Sequence, residues 1–221
     1  MDSLLAEYLA EGVYGPFSEF WVPDLVPDGR QSVELVLVFE SPHTTELATK
    51  VPVTGSTGKR ALRFLHPATS YPDSLGALIK EKHQSGDFRI AVLNASRVPL
   101  QREAYVSTVS PGLAENQWRN LATIRNHLAR PSNLTANPLA GTATARLRSN
   151  LAQRVGAMNT SGSCVLVPFG EAARTVTSEV SGLQVVSEKV PHPASPRWSK
   201  SVRDGDHALE FVRQYFCGAF D

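Results

Sequence analysis

The sequence predicts an α/β protein: a single three-layer α/β/α domain with a central, mostly parallel sheet of four strands. Short apolar runs alternate along the chain with longer segments of helical periodicity, which is the pattern of such folds. The first three apolar runs are rich in Val, Ile and Leu without clean polar alternation, as is typical of strands buried on both faces. A chain of 221 residues is long enough to bury one ordinary core. We therefore expect one domain over residues 1–221.

Four apolar runs are the candidate strands, and residues typical of turns follow each of them. These turns contain Ser-Pro, Val-Pro, Gly and Pro-His-Pro in chain order. The predicted strands are Val33–Phe39, Arg89–Ala95, Ser163–Phe169 and Leu183–Val190.

Six segments between and after these strands have apolar residues at spacings of three and four, which predicts helices. The stretch Arg130–Gly141 is rich in turn-forming residues and is predicted to be a surface loop. The predicted helices are Thr57–Leu65, Ser74–His83, Glu115–Ala129, Thr142–Val155, Glu171–Val180 and Asp206–Phe216.

Composition excludes several classes of protein. The chain has 22 Lys and Arg against 21 Asp and Glu, so its net charge is +1. A balance this even argues against a broad electrostatic binder of nucleic acid, although it leaves room for a local basic strip. Hydrophobic residues make up 42% of the chain, which excludes a disordered or fibrous protein.

The cysteine and histidine patterns indicate no metal and no cofactor. Cys164 and Cys217 are too few for a four-cysteine zinc or iron–sulfur site, and no histidine pair has metal-ligand spacing. The N-terminus carries acids where a signal peptide has basic residues, and no apolar run is long enough to cross a membrane. We expect a soluble, cytoplasmic protein that acts as a monomer.

Three polar side chains follow predicted strands, where ligands bind in open parallel sheets. Glu40 comes directly after the first strand, at a position suited to holding a water or stabilising a developing cation. Asn94 ends the second, and its amide matches the donor–acceptor edge of a nucleobase. His192 lies between two prolines after the fourth, so its imidazole is placed to donate to an oxygen that gains negative charge.

Each of these residues also has a plainer interpretation. Glu40 and Glu46 are equally consistent with ordinary loop acids, and Asn94 with a side chain that bonds the next turn. The segment Lys189–Arg203 has four basic residues, one tryptophan and no acid. Such a segment fits contact with phosphates and insertion into a base stack, or simply a rigid turn with a solvated basic rim.

Taken in order, these segments resemble the uracil-DNA glycosylase superfamily, in particular its iron–sulfur thermostable branch. That branch has Gly-Glu-Ala-Pro-Gly-x-x-Glu, then Pro-Phe-Val-Gly, a strand ending in Asn, a Gly-x-x-Ala turn and a late His-Pro. The match spans roughly residues 33 to 200. The matching segments are Phe39–Glu46, Pro52–Gly55, Val92–Asn94, Gly170–Ala173 and His192–Ala194.

The resemblance implies a monofunctional glycosylase that flips uracil, or a related deaminated base, out of DNA and hydrolyses its glycosidic bond in base excision repair. Glu40 and His192 would carry the catalysis, with Glu46 or His43 assisting, and Asn94 would read the uracil edge. The resemblance also implies a set of base-pocket residues, Phe39, Ser41, Pro42, Val53 and Gly55. It implies DNA contacts from the loop after His192, at Ser195, Arg197, Trp198 and Lys200.

Four departures from the family pattern bear on this interpretation, and the first is Phe39, which stands where the first motif usually has glycine. Ser41 stands where another branch has a water-activating Asp, and Val53 replaces the Phe that stacks on uracil. Phe39, Phe64 or Phe169 would then have to supply the stacking ring. With two cysteines the chain also lacks the branch's cluster ligands. A non-catalytic nucleic-acid-binding protein that keeps the pocket, and a hydrolase of free nucleosides, are the alternative functions.

Overall fold

The structure is a computed structural model that describes residues 3–10, 15–28, 31–67, 74–86, 89–105, 110–130 and 137–220. Its centre is the predicted four-stranded sheet, and all pairings between its strands are parallel. The strands are β1 (Val33–Phe39), β2 (Ile90–Asn94), β3 (Thr160–Pro168) and β4 (Gln184–Val185).

The strand order β2-β1-β3-β4 places a topological switch point beside β1. The chain passes from β1 to a neighbour on one side and then crosses to β3 on the other. Phe39 pairs with Asn94, and Val38 pairs with Pro168, so these three strands end at the same level. In open α/β sheets ligands bind in the crevice outside such a point.

Nine α-helices lie in the described part of the chain, and all six predicted helices are among them. Their ends differ from the predicted ones by a few residues. The helices are α1 (Ser3–Tyr8), α2 (Thr44–Thr49), α3 (Ser56–Leu65), α4 (Leu75–Gln84), α5 (Glu115–Ala129), α6 (Pro138–Gly156), α7 (Glu171–Thr177), α8 (Pro196–Asp204) and α9 (His207–Phe220).

Helices cover both faces of the sheet, which confirms the predicted three-layer α/β/α fold. On β1, Val36 and Val38 face a core shared with α1, α5, α6 and α7, whereas Leu35, Leu37 and Phe39 face α3, α4, α8 and α9. Both sets of strand side chains are buried, because alternate residues of a strand point to opposite faces. This explains why the strand shows an unbroken apolar run.

Two predicted loops are partly helical. The segment after His192 forms α8, where Pro196 occupies the first turn and the Ser195 hydroxyl accepts from the Arg197 N–H at 3.2 Å. Helix α6 begins at Pro138, where Asn137 caps it by accepting from the Ala140 N–H at 3.2 Å. A capping side chain followed by proline is a helix start, and it outweighs the turn-forming composition. Residues 131–136 of the predicted loop lie outside the described part.

The fourth strand is shorter than predicted. Ladder pairing covers only Gln184 and Val185, at the sheet edge. Beyond them the carbonyls of Ser187 and Glu188 accept hydrogen bonds from the Arg174 guanidinium of α7 instead of from a strand. Val186 and Val190 are nevertheless buried, in the core that α3, α4, α8 and α9 form on one face of the sheet, so the apolar residues of Leu183–Val190 indicate burial more than ladder length.

None of the helices described is both long and apolar enough to cross a membrane.

Candidate active site

A cavity of about 910 Å³ opens at the carboxyl edge of the sheet, beside the switch point. It gathers residues from the loops after β1 and β2, from α5, and from the loop 191–195, which we call the His192 loop. Most of the predicted site residues line it, namely Phe39, Glu40, Ser41, His43, Glu46, Val53, Gly55, Asn94, His192 and Ser195. Residues separated by about 150 positions in sequence thus share one cavity.

Glu46 is a buried carboxylate held by three donors. Its Oε1 accepts from the Val53 N–H at 2.6 Å and from the Asn94 Nδ2 at 3.1 Å, and its Oε2 accepts from the His43 N–H at 3.0 Å. Burial raises the pKa of Glu46, and the hydrogen bonds from Val53, Asn94 and His43 oppose the rise. The carboxylate also fixes the orientation of the Asn94 amide, because an ionised carboxylate accepts only from the NH₂ side.

Val53 adopts a left-handed backbone with φ 58°, which is rare for a β-branched residue. Two helical glycines enclose this turn. A Cβ on Gly58 would lie 1.7 Å from the Val53 oxygen, and a Cβ on Gly76 would lie 1.9 Å from the Pro52 oxygen. The Gly76 N–H also donates to that Val53 oxygen at 3.1 Å. Close packing from α3 and α4 therefore holds the strained turn, which presents its N–H to Glu46.

Glu40 forms an ion pair across the cavity with Arg125 of α5. The Arg125 Nε lies 2.5 Å from Oε1 of Glu40, and the Glu40 side chain is 21% exposed. The Glu40 carbonyl accepts from the Ser96 N–H at 3.0 Å, which ties the end of β1 to the loop after β2. The carboxylate is thus fixed by both its backbone and its side chain, at the wall of the cavity.

The environment of His192 selects one tautomer. The Ala194 N–H donates to its Nδ1 at 3.2 Å, so in the neutral imidazole the proton lies on Nε2. Burial lowers the pKa of His192; Glu40 opposes that effect and Arg125 adds to it. A neutral imidazole with Nε2–H is a hydrogen-bond donor that needs no proton from solvent.

The His192 loop is fastened to neighbouring elements. The Gly170 N–H donates to the Val190 carbonyl at 2.9 Å, and the Arg60 Nη1 donates to the Pro193 carbonyl at 3.3 Å. Gly170 follows β3 with φ 90°, and a Cβ there would lie 2.9 Å from the Cβ of His192. The Gly-x-x-Ala turn is thus the place where the loop after β3 packs against His192.

Phe39 is the only one of the three candidate stacking residues that lines the cavity. Its ring stacks on Phe169 with centroids 4.6 Å apart and planes 3° apart, and it meets the edge of His192 at 6.2 Å. Phe64 instead contacts Trp198 in a T-shaped pair at 5.6 Å. Val53 also lines the cavity with an aliphatic side chain.

Four predicted site residues do not line the cavity: Pro42, Arg197, Trp198 and Lys200. The expectation that Trp198 lies in an exposed loop is wrong. It is 4% exposed and packs in the core beneath α8 against Phe64 and Phe169. Arg197 and Lys200 are exposed on the outer face of the same helix.

Several polar residues of the site were not predicted from the sequence. Arg125, Gln101, Thr45, Ser56, Thr57 and Arg130 also line the cavity. Ser56 and Thr57 follow Gly55 at the start of a predicted helix. Ser and Thr are common at helix starts, so the sequence gives no sign that these two residues have a second role. Arg125 and Gln101 have no local sequence signal, because their role depends on elements that meet only in the folded chain.

A buried ionic cluster contacts the backbone at the end of β2. Arg154 of α6 donates to the carbonyls of Asn94 and Ala95 at 2.9 and 3.0 Å, and its Nη1 lies 2.8 Å from Asp24. Arg97 pairs with the same Asp24 at 2.5 Å. The backbone of Asn94 is therefore held by charged groups from two other parts of the chain.

Among the described residues no three His, Cys, Asp or Glu side chains are grouped so as to hold a metal ion. Comparison of the sequence with protein-family models and with curated proteins finds no match. The resemblance to the glycosylases therefore depends on the motifs and on the cavity that their residues line.

Proposed function

We propose that the protein is a monofunctional DNA glycosylase that excises uracil, or a related deaminated base, after flipping the nucleotide into the cavity. The observation that carries this proposal is that Glu40, Asn94 and His192 line one cavity at the carboxyl edge of the sheet. A carboxylate, an amide and an imidazole donor are the three groups that base recognition and glycosidic hydrolysis require.

Hydrolysis of the glycosidic bond develops positive charge on the sugar and negative charge on the departing base. Glu40 would face the sugar, where a carboxylate stabilises an oxocarbenium-like centre and orients the attacking water. His192 would donate its Nε2–H to the O2 of the leaving uracil. Because the donor is already neutral and fixed, it stabilises that charge without prior reorganisation.

Asn94 has the chemistry to select the base. One N–H of its amide is directed at Glu46, and the described residues do not engage Oδ1 or the second N–H. These two groups form an acceptor–donor pair that complements the N3–H and O4 of uracil. Cytosine presents the opposite pattern at these positions and would be rejected. Phe39 would supply an aromatic wall for the flipped base.

Excision from oligonucleotides tests this proposal. The wild-type protein is incubated with oligonucleotides that carry uracil, hypoxanthine or xanthine, and alkali treatment converts each abasic site into a strand break. Glu40→Gln and His192→Ala should each lower the rate by roughly 10²- to 10⁴-fold. Asn94→Ala should narrow the preference for uracil over cytosine.

The outcomes separate the alternatives. Wild-type binding to uracil-containing DNA without strand breaks would indicate a non-catalytic binding protein. Cleavage of free deoxyuridine without action on oligonucleotides would indicate a nucleoside hydrolase. If all three variants excise uracil at the wild-type rate, the site is assigned to the wrong residues.

A further inference from the structure

A second cleft lies beside the cavity and has no part in the chemistry proposed above. Its volume is about 540 Å³, and it lies between α3, α8 and α9. Three arginines line it, Arg60 and Arg63 from α3 and Arg213 from α9. One acid, Glu210, also lines it and lies 3.8 Å from Arg213.

Helices α3 and α8 each carry a net positive charge. Helix α3 carries Lys59, Arg60 and Arg63 and no acid, and α8 carries three basic residues with a single Asp at its last position. Since the whole chain has a net charge of only +1, the remainder of the protein is net acidic. Arg63, Arg197 and Lys200 have no acidic partner among the described residues.

The cleft follows the cavity along these two helices, and no described residue lines both. Ser56 and Thr57, at the start of α3, and Pro196, at the start of α8, line the cavity, whereas residues one and two turns later line the cleft. The rings of Phe64 and Trp198 join the two helices and line the cleft. Thr57 and Arg63 are about 9 Å apart along the axis of α3.

We propose that this cleft holds the sugar–phosphate backbone of the strand that flanks the nucleotide in the cavity, on one side of that nucleotide only. This inference rests on the proposed function, because the cavity must hold a nucleotide of the same strand. A strand carries one phosphate per roughly 3.4 Å of duplex axis, so the distance of about 9 Å from Thr57 at the cavity to Arg63 in the cleft corresponds to about two to three phosphates. Arginine and lysine side chains with no acidic partner bind phosphates without first breaking an ion pair.

Affinity and its salt dependence test the cleft without requiring excision. The probe is a fluorescein-labelled single-stranded oligonucleotide of mixed sequence that contains no deaminated base. Arg63→Glu combined with Arg213→Glu should weaken binding by about tenfold or more, because both arginines line the cleft. The slope of log K against log salt should fall by roughly 0.7 for each phosphate that the variant no longer neutralises. Lys80→Glu is the matched control, because Lys80 is exposed and lines neither cavity nor cleft.

Excision then tests which side of the nucleotide the cleft serves. Two substrates carry the same uracil, one with flanking nucleotides only on its 5′ side and the other only on its 3′ side. The wild-type protein should prefer one of them by lower KM, and the double variant should lose that preference. Lys80→Glu should keep it.

The two proposals fail in different ways. If the wild-type protein excises uracil but the double variant keeps the wild-type affinity, salt slope and substrate preference, the cleft is not a strand-binding surface. If the wild-type protein excises nothing, the salt slopes of the variants still decide whether the cleft binds nucleic acid. Equal binding of the double variant and the control to the oligonucleotide, with loss of binding only to phosphatidylserine vesicles, would assign the surface to a membrane instead.

Discussion

Single residues set the chemistry of the cavity through their neighbours. Glu46 is far from solvent, yet three donors surround it, and one of them is the amide of Asn94. A buried carboxylate without such partners would become neutral or destabilise the fold. Here it orients the amide of Asn94, which we propose reads the base. The proposed base reader is therefore oriented by a residue that need not touch the substrate.

Gly170 should be as important for His192 as any polar contact. In Gly170→Ala the new Cβ would lie 2.9 Å from the Cβ of His192, at a φ of 90° that L residues rarely adopt. We expect a loss of about 1–3 kcal/mol in the free energy of unfolding and a displaced His192 loop. Urea unfolding measures the first, and excision of uracil under conditions where the variant stays folded measures the second. Gly162→Ala, in β3 with open space around its Cα, is the control and should leave excision unchanged.

The lowered pKa of His192 predicts the direction of a pH effect. Burial places the folded-state pKa below the ordinary value of 6.5, so on acidification the unfolded chain takes up this proton first. The stabilisation is thus present above about pH 6.5 and is lost as the pH falls from there towards the folded-state pKa. Protonation of Nδ1 would also remove the lone pair that accepts the hydrogen bond from the Ala194 N–H.

Thermal unfolding and excision between about pH 5 and 8 check this effect. The melting temperature of the wild-type protein should fall more on acidification than that of His192→Gln. His83, whose pKa burial also lowers, contributes equally to both proteins. The rate of uracil excision should fall on acidification only below about pH 6.5. If the melting temperatures of the two proteins fall equally on acidification, His192 does not change its protonation on unfolding.

At the scale of elements, the turn between α2 and α3 depends on how closely two helices approach it. Gly58→Ala would put a Cβ 1.7 Å from the Val53 oxygen, which is backbone and cannot rotate away. We expect a loss of about 3 kcal/mol or more, because either α3 or the turn must shift. Chemical unfolding measures it. Gly156→Ala, at the end of α6, would add a Cβ that meets no other described part of the protein, and it should change stability by no more than about 1 kcal/mol.

The elements also differ in how far the sequence predicts them. Strand β1 is predicted to the residue, because burial on both faces leaves an unbroken apolar run between turns. From the strand ends the fold class alone brings Glu40, Asn94 and His192 to one edge of the sheet. The left-handed Val53 is beyond prediction, since its local preference is for extended backbone and only the packing of two glycines imposes the turn.

Helix α8 and Arg125 escape prediction for different reasons. The prolines around His192 suggest a rigid loop, yet Ser195 followed by Pro196 is a helix start that the sequence does contain. Once the segment is a helix, Trp198 falls on its inner face and joins the core. Arg125 pairs with the carboxylate of Glu40, which is 85 positions away in sequence, and no local sequence pattern predicts such a contact.

Across the whole molecule, an even charge balance conceals an uneven distribution. The net charge of +1 suggests a poor partner for nucleic acid, yet α3 and α8 present a basic surface beside the cavity while the remainder is net acidic. Such a distribution favours one orientation of a polyanion and limits binding elsewhere. Under the proposed function, contacts with a few phosphates beside one altered base are sufficient, and a uniformly positive surface is not required.

The buried cluster of Asp24, Arg97 and Arg154 joins three distant parts of the chain, and its disruption should therefore affect the whole molecule. Asp24 and Arg154 are 6% and 9% exposed at their side chains, so Asp24→Asn would leave two guanidinium groups short of their buried counter-charge. Removing one partner of such a buried pair costs about 3–5 kcal/mol. We expect the free energy of unfolding in urea to fall by that amount, and the hydrogen bond from Arg154 to the Asn94 carbonyl to weaken.

Because Asn94 is the proposed base reader, discrimination between uracil and cytosine should narrow in Asp24→Asn as well. Glu115→Gln is the matched control: its pair with Arg102 is 66% and 64% exposed, and breaking it should change stability by about 0.5 kcal/mol or less. An Asp24→Asn variant as stable as this control would mean that the cluster does not stabilise the fold. Unchanged base discrimination in a destabilised variant would mean that the cluster supports the fold without positioning Asn94.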